Sequence, residues 1–238
     1  MMATLKMIAT SLFLLFHHHC VLGSSDSSTS SNFASWTATP FHRIVREEVV
    51  YSRWRSVIRK VVMLPKGIEV DYDIIDQRGR GAVTIFAWNS KNKTATLVKE
   101  YQPGPHQYLM GCAAGMIDDN DDNNEARSDH HDSHKSLTAA VHELEEELHL
   151  SGGTWYRLTN QPMVMDKYSR TLICPYLVID PYTVKNPRPL DDEEDIEIIQ
   201  GVTIEEILQL MQDGCMNMVG SWACLLAVNK LRELGEIT

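Results

Sequence analysis

Apolar and polar positions along the chain change period several times, and each change marks an element. Residues 49–64 mix aromatic, β-branched and basic side chains in a way that suits a strand, and Pro65-Lys66-Gly67 then reads as a turn. Residues 70–75, 82–88 and 95–101 form further strand patterns, with polar punctuation over 89–93. Residues 108–117 read as another strand, with small residues where backbone can approach a ligand. The period lengthens to that of a helix over 137–150, closed by Gly152-Gly153. Strands resume at 155–158 and 172–179. Thr203-x-x-Glu206 is a capping box that opens a helix over 204–213, ended by Gly214. A last helix covers 221–234 and stops at Gly235. Strands, a helix, strands and more helices predict an α/β (α+β) fold built on a mixed β-sheet.

Between these elements lie stretches that cannot bury a core. Residues 24–40 are Ser-rich and read as a disordered or targeting segment. Residues 118–135 carry six Asp, Glu125 and three His, which is the composition of a solvated loop; a metal-buffering tract is the competing reading. Residues 187–195 form a second acidic loop. Ahead of all this, Lys6, an apolar run from Met7 to Phe16 and small residues near Gly23 have the layout of a secretory signal peptide over residues 1–23. The run is too short for a comfortable membrane span, so no stable span is expected in the mature chain. The expected route is secretory, ending outside the cell, in a lumen, or in a plastid-like organelle if the Ser-rich stretch is a second signal.

Composition then narrows the partners. With 238 residues and a net charge of −10, the chain is long enough for a sizeable core and too acidic for a general nucleic-acid binder. Removal of residues 1–23 leaves Cys112, Cys174, Cys215 and Cys224, with no zinc-like spacing; they read as core thiols, although an oxidising compartment would permit disulfides.

The candidate chemistry sits on the first helix. On a helical wheel Glu143, Glu146 and Glu147 share one face within an arc of about 100°, while Leu137, Val141, Leu144 and Leu148 form a separate apolar stripe. Glu145 falls elsewhere and is expected to face water. Carboxylates at i, i+3 and i+4 repel one another, and a hard cation such as Mg²⁺ or Mn²⁺ removes that conflict.

Residues 139–150, AAVHELEEELHL, resemble the core of the Nudix box. Upstream, Ala113-Ala114-Gly115-Met116-Ile117-Asp118 resembles a segment of the ADP-ribose and ADP-sugar pyrophosphatase branch of that family. Arg55, Pro65, Gly67, Asp71-Tyr72 and residues 97–101 fit its N-terminal strands, and residues 192–197 and 205–207 fit its acidic loop and penultimate helix. The resemblance implies a Nudix-like mixed sheet sandwiched between helices, so that residues 41–238 would be a Nudix hydrolase domain with an insertion at 118–135. It also implies metal held by Glu143, Glu146, Glu147 and the carbonyl of Ala114. Glu146 is additionally expected to take part in catalysis. The water-orienting carboxylate would be Asp192 or Glu193. The implied reaction is Mg²⁺- or Mn²⁺-dependent cleavage of an ADP-sugar to AMP and a sugar phosphate, carried out by a homodimer joined through its N-terminal strands. The pattern departs from the family where His142 replaces Arg, His149 replaces the closing Gly, Asp121 replaces Glu and Gly111 replaces Glu. A nucleotide-binding or sensor protein of the same fold is the alternative that these departures favour. Trp54, Tyr101 and Tyr168 are the candidate rings for stacking on adenine.

Overall fold

A computed structural model describes residues 42–117, 133–191 and 194–238. The expected signal peptide at 1–23, the Ser-rich segment, insertion residues 118–132 and both Asp192 and Glu193 lie outside the described residues. Arg43–Thr238 cluster as one unit. Among the described residues no helix is long and apolar enough to cross a membrane.

The chain opens with β1 (Arg43–Ser52), β2 (Ser56–Met63) and β3 (Glu69–Asp76), paired in that order as an antiparallel sheet. The single strand expected over 49–64 is therefore a hairpin. Residues Arg53–Arg55 reverse the chain, with the Arg53 N–H donating to the Arg55 carbonyl at 2.9 Å. Their mixed composition continues the pattern of the flanking strands, so periodicity does not reveal the break. Every position of β1 is exposed, including Val49, Val50 and Tyr51.

A second, mixed sheet carries the core. Its central path runs β10 (Met163–Val164), β11 (Leu172–Ile179), β4 (Ala82–Asn89), β5 (Thr94–Gln102), β13 (Ile196–Val202). β11 and β4 are parallel, and the other neighbours along the path are antiparallel. β6 (Gln107–Gly111) pairs with β5, β7 (Ala113–Met116) with β4, and β9 (Thr154–Arg157) with β11. The strand expected at 108–117 thus splits at Cys112, where the chain leaves β5 and joins β4. A small ribbon pairs β8 (Leu150–Ser151) with β12 (Tyr182–Thr183).

Helices cover both faces of this sheet, which explains why β4 and β11 are apolar at nearly every position. On one face, α1 (Ser133–Leu148) packs Ala140, Leu144 and Leu148 against Val83, Ile85, Tyr176 and Val178. On the other, α2 (Ile204–Gln212) and α3 (Met218–Glu233) cover Phe86, Trp88, Leu97 and Leu177. This is the α+β sandwich expected. β13, which the sequence pattern did not announce, completes its edge.

Helix ends show where local chemistry decides. Thr203 caps α2 as expected: its hydroxyl accepts from the Glu206 N–H, and the Glu206 carboxylate accepts from the Thr203 N–H at 2.8 Å. α3 starts earlier than residue 221, because the Asn217 side chain accepts from the Gly220 N–H at 2.7 Å. α1 starts earlier too, and it ends at Leu148, two residues before the expected Leu150. His149 takes a left-handed conformation, φ 56°, and its N–H donates to the Glu145 carbonyl at 3.1 Å. That conformation costs a non-glycine residue about 1 kcal/mol. His149→Gly should therefore stabilise the protein by about 0.5–1 kcal/mol in urea unfolding, and an unchanged midpoint would show that the strain is absent.

Candidate metal and diphosphate site

α1 lays its acidic face against the β7 end of the sheet. Glu147 is only 4 % exposed, and its Oε2 accepts a hydrogen bond from the backbone N–H of Ala114 at 2.9 Å. One turn back, Glu143 lies over Gly115. A Cβ on Gly115 would stand 1.7 Å from Glu143 Oε1, so only glycine lets the carboxylate approach this closely. Of the ligand set the resemblance implies, Glu147 meets the Ala114 N–H and Glu143 lies over the adjoining Gly115. Gly115→Ala should push the Glu143 carboxylate away without unfolding the chain, because the clash falls on the end of a flexible side chain. If this face holds a divalent metal, the concentration needed for half-maximal thermal stabilisation should rise about tenfold or more in the variant, and an unaltered concentration would contradict a metal role for Glu143.

Glu146 is more open and stands 3.6 Å from Arg188 Nη1. Glu145, expected to face water, is instead partly covered and lies 3.9 Å from Arg188 Nε. Arg188 comes from the acidic loop, so a cation stands beside these carboxylates although position 142 is His. With 46 % of its side chain exposed, the contribution of this pair to stability is small.

The acidic loop adds a residue the sequence did not single out. Glu194 closes a turn in which its N–H donates to the Asp191 carbonyl at 3.0 Å and its Oε2 accepts from the Asp191 N–H at 3.1 Å. The pairing of Ile196 with Glu100 on β5 sets where this turn enters the site. Asp195 faces elsewhere: its side chain accepts from the Tyr108 hydroxyl. Glu100 belongs to the same charge cluster and accepts from the Gln102 side-chain amide at 2.6 Å.

The electrostatics are those of crowded, partly desolvated acids. Burial pushes the Glu147 carboxyl well above the ordinary carboxylate range. The Ala114 N–H pulls it down, while the charges of Glu143, Glu194 and Glu100 push it further up. Burial also raises Glu194, opposed by its backbone bond at Asp191 and reinforced by Asp191, Glu100 and Glu146. Glu100 is raised by burial, against the pull of Gln102.

Among the described residues, no group of three or more Asp, Glu, His or Cys side chains is placed to hold a metal ion. The donors still fit a hard divalent ion. They are carboxylate oxygens with Ala114 beside them, and their mutual repulsion is what a cation would relieve. Mg²⁺ in particular is held by one or two carboxylates together with water and substrate phosphate, not by an all-protein cage.

The adenine candidates are dispersed. Trp54 lies in the β1–β2 reversal and is 75 % exposed. Tyr101 on β5 contacts His106 and Tyr108. Tyr168 is exposed, with Lys167 Nζ 5.1 Å from its ring centroid. An apolar groove of about 430 Å³ between β10 and α3 is lined by Met163, Ile173, Trp222 and Leu225 and includes none of the glutamates.

No protein-family model and no curated sequence matches the chain. A solved structure described as an ADP compounds hydrolase is similar at a TM-score of 0.63 and 18 % identity, over 83 % of this chain and 98 % of that one. At that identity the likeness is one of fold, and the conclusion is that this chain has the mixed α+β fold of an ADP compounds hydrolase.

Proposed function

We propose that this protein is a Nudix-type hydrolase that cleaves the diphosphate bond of an ADP-sugar, giving AMP and a sugar phosphate. The observation that carries the reading is the buried Glu147 carboxylate, tied to the Ala114 backbone and surrounded by Glu143, Glu194 and Glu100. Burying like charges is costly without a function for them, and sites that shift carboxylates this way are often catalytic. The fold likeness supports a hydrolase of this type.

Glu143, Glu146, Glu147 and the Ala114 carbonyl would hold Mg²⁺ or Mn²⁺, which when bound neutralises diphosphate charge and makes water a better nucleophile. The protein's own part is to present the carboxylates. Ala114 fixes Glu147, Gly115 admits Glu143, and Arg188 stands beside Glu146. Glu194 is the acidic-loop carboxylate we assign to accept the proton of the attacking water, in place of Asp192 or Glu193. Its raised pKa makes it a stronger base than an ordinary carboxylate.

The full chain, supplied with Mg²⁺ or Mn²⁺ and a panel of nucleoside diphosphate compounds, should release AMP and a sugar phosphate from an ADP-sugar. Tight nucleotide binding without turnover would point to the sensor reading. The proposal also includes a homodimer, since β1 exposes apolar residues along its length and Trp54 stands beyond its end. Light scattering after size exclusion should give twice the chain mass, and a monomer at micromolar concentration would count against it.

A further inference from the structure

We propose that Cys112 and Cys224 are a disulfide-forming pair that staples α3 to the strand leading into the glutamate site. Although 112 residues separate them in sequence, their sulfurs lie 3.5 Å apart. A disulfide spans about 2.05 Å, so closing the gap takes about 1.5 Å of motion. The approach is set by backbone. α3 passes so close to the strand that a Cβ on Gly220 would meet the Gly111 Cα at 2.9 Å and the Cys112 nitrogen at 3.1 Å. Cys224 follows one turn later on the same helix face. Alternative pairings are poorly placed: Cys174 belongs to the core on the α1 side of the sheet, whereas Cys112 and Cys224 share the core beneath α2 and α3. Cys215 is exposed.

The oxidant is a small disulfide such as glutathione disulfide. One protein thiolate attacks it and expels a glutathione. The second thiolate then attacks the protein sulfur of the mixed disulfide and expels the other glutathione. One protein S–S bond forms, one glutathione S–S bond is lost, and the two thiol protons pass to the two departing glutathione thiolates. Cys112 is 4 % exposed and Cys224 fully buried, so the exchange occurs before α3 seats, and the finished bond is shielded from reductant. In the folded dithiol, the Cys112 contact and burial hold the Cys224 thiol well above the usual thiol range and keep it unreactive. The secretory route expected from residues 1–23 would supply an oxidising environment.

The test refolds reduced, urea-unfolded full chain into a mixture of reduced and oxidised glutathione, alkylates it in denaturant and maps the peptides. The expected map links Cys112 to Cys224 and leaves Cys174 and Cys215 alkylated. Protein reduced in urea and refolded in reductant should have a Tm about 5–15 °C below that of the oxidised protein. In Cys224→Ala, Cys112 should become alkylated and reductant should leave Tm unchanged. Alkylation of both Cys112 and Cys224 in the wild-type chain, or a bond mapped to another cysteine, overturns the proposal. The wild-type map decides by itself if the variant fails to refold.

Discussion

Glu147→Gln should remove turnover while leaving the fold intact. The glutamine carbonyl can still accept the Ala114 N–H, so the contact that anchors this part of α1 to β7 survives. What disappears is the charge that the proposed function assigns to holding the metal. Losing about 4 kcal/mol of transition-state stabilisation lowers kcat on the order of 10³-fold. Stability should move the other way. The folded-state pKa of Glu147 lies above its ordinary value of 4.5, so without metal the folded chain holds a proton that the unfolded chain releases. The stability from that proton is fully present below pH 4.5 and is lost as pH rises through the folded pKa. Glu147→Gln should flatten this decline and raise metal-free stability at neutral pH. Urea titrations at pH 5 and pH 8 in chelator would show it. A variant that is both inactive and markedly less stable would mean that Glu147 is structural.

Glu194→Gln should produce a different signature. A general base contributes about 10²–10⁴-fold, so kcat should fall within that range. Metal-induced thermal stabilisation should change little, because Glu194 is assigned to water and not to the metal. In the wild type, burial and neighbouring acids raise the Glu194 pKa, so the acid limb of the kcat profile should lie above the ordinary carboxylate range. That limb should disappear in the variant. If kcat is retained and the limb persists, the base lies elsewhere on the loop.

How far these residues were legible beforehand depends on the range of the information each needs. The shared acidic face needs only helix geometry. Glu143, Glu146 and Glu147 follow from i, i+3, i+4 spacing, and the apolar stripe correctly seats Leu144 and Leu148 in the core. The burial of Glu147 was not legible, because it depends on β7 placing Ala114 beside it. Glu194 was hidden among five consecutive acids, residues 191–195. Their composition is uniform, and only the register of β13 against β5 separates Glu194, partly buried near Glu100, from Asp195, turned to Tyr108. β13 itself escaped notice because its alternation is short and shifts register between Gln200 and Val202, beside Gly201 at φ 77°. Glu145 was misplaced for a related reason. The wheel locates it on α1, but the partial cover comes from a loop about 40 residues downstream that brings Arg188 alongside.

Elements with strong local signals were read closely. The α2 capping box and the central strands β4, β5 and β11 lie within a residue or two of expectation. α1 ends two residues before the expected Leu150: His149 stands where the resemblance puts a closing Gly and takes that residue's left-handed conformation, while Gly152-Gly153 downstream offer a stronger but false stop.

Mn²⁺ titration of the full chain, followed by isothermal calorimetry in the presence of a non-hydrolysable ADP-sugar analogue, tests most directly whether the glutamate face is a metal site. The wild type should bind Mn²⁺, and Glu147→Gln should weaken that binding by tenfold or more while remaining folded. Equal Mn²⁺ binding by the two proteins would contradict the assignment of this face as the metal centre.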